Sequence, residues 1–121
     1  MDSYALMYPI LSTLVDKRAY VDYVPEQPTG KLIAPPYIVY REIDAIADNV
    51  LDEFLGVEYV RVQVDVYHKT HLECRKLSNQ VIAVMLSSIK YCEFISRQRL
   101  YDPDTKFARY SMDFQFSTTV A

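Results

Sequence analysis

The sequence predicts an α+β fold, a single antiparallel sheet of about four strands with two helices packed on one face. Three observations carry that prediction. Val60, Val62, Val64 and Val66 alternate with Arg61, Gln63 and Asp65 inside residues 57–67, the period of a strand buried on one side. Residues 70–89 then place Leu72, Leu77, Val81, Val84 and Met85 in a helical stripe that can lie across the valine face. Finally, Tyr91–Tyr101 and Lys106–Thr118 read as strands joined by Asp102-Pro103-Asp104-Thr105, where proline presets φ and aspartate caps a reversal. One antiparallel sheet covered by helices on one side is the simplest layering of these parts.

The elements follow in order. Ala5, Leu6, Ile10, Leu11, Leu14 and Val15 fall mostly at helical spacing over residues 3–15, with Pro9 either kinking that helix or starting it. Residues 19–24 read as a short strand. Pro25, Pro28, Gly30, Pro35 and Pro36 mark an irregular loop over 25–36. Tyr37–Ile43, rich in β-branched and aromatic residues, reads as the next strand. Segment 44–55 is ambiguous. Ile46, Val50 and Phe54 recur every four residues, with Asp44, Asp48 and Asp52 on the opposite edge, which suits an acidic amphipathic helix or a mobile arm for assembly. The capped helix opens at Thr70, with Glu73 three residues on. The last strand alternates Ala108, Tyr110, Met112, Phe114 and Phe116 with Arg109, Ser111, Asp113 and Gln115.

Composition narrows function by exclusion. A chain of 121 residues suits one domain spanning 1–121. It holds 2 glycines where an average chain would hold roughly 8. Gly30 and Gly56 stand alone, so no glycine-rich loop is present to cradle a nucleotide phosphate. Lysine and arginine number 13 against 16 acids, a net charge of -3 with no basic block, which argues against nucleic-acid binding. No apolar run approaches the ~18 residues of a membrane span. Cys74 and Cys92 lack a second pair and fit reduced thiols, so a soluble intracellular protein is expected.

Catalytic chemistry finds little support. Asp65, His68, His71, Glu73 and Cys74 cluster near a strand end and helix start, and a small metal-dependent hydrolase using Asp65, His68, His71 and Glu73 is the enzymatic alternative. Their spacing matches no metalloenzyme pattern, and polar strand-end residues with Glu73 favoured by the helix dipole explain them as well. No third group is placed to orient a histidine–cysteine pair. The chain is therefore expected to be no enzyme and to need no cofactor.

The second sheet face is better furnished. Tyr59, Arg61, Gln63, Asp65 and Tyr67 on one strand could meet Arg109, Asp113 and Gln115 on another. One reading is a solvated face with weak cross-strand pairs; the other is a subunit interface. There are 11 tyrosines and no tryptophan. Most tyrosines fall in strands, where aromatics are favoured, but tyrosine is also enriched at protein contacts. Asp44, Asp48, Val50 and Phe54 of the arm join these residues as candidate contacts.

The order of signatures resembles a known family. Pro36-Tyr37-Ile38-Val39-Tyr40, Val62-Gln63-Val64-Asp65-Val66-Tyr67, the capped helix, Tyr101-Asp102-Pro103-Asp104-Thr105 and Arg109-Tyr110-Ser111-Met112-Asp113-Phe114 together resemble the tail-terminator (tail completion, head-to-tail joining) proteins of long-tailed bacteriophages and their prophage relatives. The resemblance spans roughly residues 3–118 and rests on order and spacing. It implies a virion structural protein whose copies form a six-fold ring on the tail tube, stop tube polymerisation and offer the surface that docks the head. The implied partners are further copies of itself, the tail tube protein and a head connector or neck protein, with no sequence-specific nucleic acid and no membrane. The implied place is the tail–head junction of the virion, with assembly in the host cytoplasm. Another neck or connector component is the alternative within the structural class.

Overall fold

The computed structural model describes residues 2–119 apart from 26, 29, 31, 32, 51 and 52, and describes side chains outside 46–57 and 119. Its elements are α1 (Ser3–Ser12), β1 (Ala19–Val21), β2 (Tyr37–Val50), β3 (Glu53–His68), α2 (His71–Ser88), β4 (Glu93–Tyr101) and β5 (Ala108–Thr119). The α+β class and the two helices agree with the sequence reading. The sheet does not: it has five strands in the order β1-β2-β3-β5-β4, and it is mixed. β1 runs parallel to β2, pairing Ala19 with Ile38 and Val21 with Tyr40. The connection over 22–36 is long enough to carry the chain back to the same end of the sheet, which a parallel pair requires.

β3 is the central strand because its valines need burial along their whole length. Val60, Val62, Val64 and Val66 are fully buried, each worth about 1.5–3 kcal/mol relative to exposure. Val62 pairs with Phe114 of β5 and Val64 with Met112, so both strands turn apolar residues to the same side. Ile38 and Tyr40 of β2 continue that face. α2 lies across it through Cys74, Leu77, Val81 and Met85, and α1 adds Met7 and Leu11.

The caps fix where the helices begin. Thr70 Oγ1 accepts the Glu73 amide at 3.2 Å, and Asp2 Oδ1 accepts the Ala5 amide at 2.8 Å. Pro9 sits inside α1 on its exposed side, so the helix runs through it and ends at Ser12, short of the expected 15. Leu72, expected in the buried stripe of α2, is 62% exposed, because at 3.6 residues per turn it falls on the side of the helix away from Cys74, Leu77, Ser78, Val81 and Met85.

Segment 44–55 corrects the sequence reading most. No helix forms among its described residues. β2 continues to Val50, β3 begins at Glu53, and the two strands build a long antiparallel hairpin. The register slips between Glu42 and Asp44 and again between Ala47 and Asn49. The first slip leaves Ile43 of β2 without a partner, and the second sets one residue of β2 against residues 55–57 of β3, so the plain alternation of a strand is broken in the sequence. β5 pairs with β3 only from Val57 onward, so the hairpin projects beyond the rest of the sheet as a two-stranded ribbon.

Candidate assembly interface

The face of the sheet opposite the helices carries the polar residues in register. β3 places Arg61 beside Gln115, Gln63 beside Asp113, Asp65 beside Ser111 and Tyr67 beside Arg109 of β5. On the other side β2 sets Asp44 beside Arg61, Val39 beside Asp65 and Tyr37 beside Tyr67. Because all three strands alternate, valines inward require these residues outward.

Asp65 is the centre of this face. Its side chain is fully buried, and one oxygen lies 2.7 Å from Arg109 Nη2 and 3.6 Å from Arg41 Nη1. Gln63 Nε2 donates to the other oxygen at 3.1 Å and to Ser111 Oγ at 3.0 Å. Burial opposes the charge on Arg109, but the hydrogen bond and charge of Asp65 outweigh it and hold the guanidinium above its ordinary pKa. Arg109 Nε is buried without a hydrogen-bond partner among the described residues. The same guanidinium lies 5.5 Å over the Tyr67 ring, which stacks on Tyr37 at 4.7 Å. Arg61 and Asp113 form a second pair at 3.2 Å, with side chains 46% and 25% exposed. In a free subunit such a pair contributes under about 1 kcal/mol.

Burial raises the pKa of Tyr37 to about 12, with the neighbouring Tyr67 adding to it. It also raises those of Tyr40 and Tyr67, although Arg109 works against the rise at Tyr67. Burial pushes both thiols, Cys74 and Cys92, up to about 11, and Cys74 Sγ donates to the Val66 carbonyl oxygen at 3.3 Å. These groups stay neutral in the folded chain at pH values where the unfolded chain has already ionised them. Stability is therefore complete below about pH 9, the ordinary thiol value, and falls as pH rises through 10 toward 12. Urea midpoints at pH 8 and pH 11 check this, with Tyr37→Phe expected to reduce the alkaline loss. An equal midpoint at both pH values would contradict the burial of these groups.

The structure brings together most of the residues the sequence singled out. Tyr59, Arg61, Gln63, Asp65, Tyr67, Arg109, Asp113 and Gln115 share the open face, and Asp44 joins them at the base of the hairpin. Tyr59, 44% exposed, lines shallow recesses with Gln115, Asp44 and Arg61 on one side and Tyr91 and Glu93 on the other. Asp48, Val50 and Phe54 belong to the hairpin strands, and their side chains lie outside the described residues. The sequence reading missed Arg41, the second guanidinium on Asp65. The alternation Tyr37, Val39, Arg41 was the signal that could have found it.

The proposed metal ligands are not brought together. Asp65 faces Arg109 on the open side, whereas His71 stacks on Tyr110 of the helix side, with the ring centroids 5.5 Å apart. His68 Nδ1 accepts the Lys69 amide at 2.8 Å. Burial lowers the His68 pKa, with Glu73 pulling the other way. Among the described residues no three histidine, cysteine or acidic side chains converge as a metal would require. No described helix is long and apolar enough to cross a membrane.

No curated protein matches the chain. A family model described as tail completion protein gp17 matches residues 6–119.

Proposed function

The chain belongs to the tail completion protein gp17 family, and from that premise we propose that its copies form a ring that caps the phage tail tube, stops tube growth and presents the surface to which the head docks. Membership makes it a structural component of the phage tail, and the family is not an enzyme family. The observation that carries the ring is the open sheet face. It leaves Arg61 and Asp113 partly in solvent beside a buried Asp65 that is already paired with Arg109 and Arg41. A closed ring needs one surface to meet a different surface on the next copy, and this face with the projecting hairpin supplies two unlike surfaces. Its partners are further copies of the chain, the tail tube protein and a head connector.

Negative-stain images and sedimentation of the protein, alone and with tail-tube protein, test this reading. Rings seated on tube ends are expected. A protein that stays monomeric and never joins tube ends at any salt would overturn it. Within the ring, Arg61→Glu or Asp113→Lys is expected to weaken assembly tenfold or more, about 1.4 kcal/mol, with an unchanged melting profile. If both variants capped tubes like the unaltered chain, the sheet face would not be the contact.

A further inference from the structure

Charge is sorted along this molecule. Segment 42–58 holds six carboxylates, Glu42, Asp44, Asp48, Asp52, Glu53 and Glu58, and no lysine or arginine stands between Arg41 and Arg61. At the opposite end of the sheet a cavity of about 180 Å³ is lined by Lys69, His71, Arg99 and Lys106, with Leu100 and Tyr101 between them and no acidic residue. These groups come from the β3–α2 junction, β4 and the β4–β5 turn. Among the described residues the ion-paired cations are Arg41, Arg61 and Arg109, and none of Lys69, Arg99 and Lys106 forms an ion pair within 4.0 Å. Asp102 is engaged within its own turn, where its carboxylate accepts the Asp104 amide at 3.0 Å and its carbonyl accepts the Lys106 amide at 2.8 Å.

We infer that this basic cavity receives carboxylates of the β2–β3 hairpin from a second copy of the chain, an inference that rests on the ring reading above. Three cations converging on one recess repel one another, and an anion seated among them relieves that repulsion. The chain's own hairpin cannot supply it. β3 runs from Glu53 to His68, 16 residues, which at roughly 3.3 Å each separates the hairpin tip from the cavity by about 50 Å. Only another copy brings the two ends together. The ribbon also gains from a seat, since a two-stranded hairpin without further partners is marginal in water. Acidic hairpin into basic cavity is a contact between unlike surfaces, the kind that repeats around a ring. Nucleic acid fits less well, because the cations form one recess rather than a track and the chain as a whole is negative.

The test uses two full-length variants in the presence of tail-tube protein. Lys69→Glu with Arg99→Glu makes the cavity acidic, and Asp48→Lys with Glu53→Lys makes the hairpin basic. Each double variant alone is expected to assemble at least tenfold more weakly than the unaltered chain while keeping its melting temperature. Mixed in equal amounts they are expected to recover assembly, since each hairpin then meets a cavity of opposite charge. Normal assembly by either variant alone would overturn the inference and leave the ring standing, as would loss in both without recovery on mixing. Failure of the unaltered chain to join tube ends would instead remove the ring reading itself. The inference is likewise overturned if fluorescence anisotropy shows the cavity variant losing affinity for a labelled DNA duplex while its assembly is unchanged.

Discussion

Asp65→Ala is expected to lower the free energy of unfolding by about 2–4 kcal/mol, read as a shifted urea midpoint. Deleting one member of a buried pair costs about 3–5 kcal/mol, because the remaining charge keeps its burial and loses its partner. Here the side chains of Arg109 and Arg41 are 27% and 30% exposed, so water recovers part of that loss. The damage concentrates on Arg109, whose Nε has no partner already and whose Nη2 would lose its 2.7 Å contact. Asp65→Leu combined with Arg109→Met should restore most of the stability, since apolar groups of similar size need no compensation. A loss below about 1 kcal/mol in Asp65→Ala would mean the guanidiniums are as well solvated without the carboxylate, and the account of this face would fail.

Phe114→Ala carries the largest expected effect. Its ring is fully buried, pairs with Val62 of β3 and with Phe94 of β4, and lies 5.6 Å from the Phe94 ring. Truncating a buried phenylalanine costs about 3–5 kcal/mol through lost transfer energy and the cavity left behind. For a chain of this size that corresponds to a melting temperature lower by roughly 10–20 °C. Phe94 on the edge strand is 39% exposed, so Phe94→Ala should cost clearly less. Calorimetry of the two variants decides the matter. Equal losses would place the core elsewhere than between β3, β5 and the helices.

The parts of the fold that sequence revealed are those where one signal acts alone. α2 was legible because Thr70 and Glu73 mark its start and the apolar stripe has a single period. β3 and β5 were legible because nothing interrupts their alternation from Val60 to Val66 and from Ala108 to Phe116. That same regularity is enough to put Arg61, Asp65, Arg109 and Asp113 on one face. What escaped has a physical cause in each case. A short strand was read at 19–24, where β1 forms over Ala19–Val21, but its parallel pairing with β2 follows from the return path of the chain and leaves no local pattern. The hairpin hid because two slips of register disguise its strands. Leu72 misled because it stands five residues before Leu77, an interval that turns it away from the buried face of α2.

The two thiols open a practical route into this protein. With pKa values near 11, each is ionised in only about one molecule in ten thousand at pH 7, and the thiolate is the form that alkylates. A cysteine placed on the exposed surface would ionise near the ordinary thiol value of about 9 and react far ahead of both. Fluorophores or spin labels can therefore be attached at a chosen position without removing either native thiol. Distances between copies could then be read in solution from the otherwise unaltered chain.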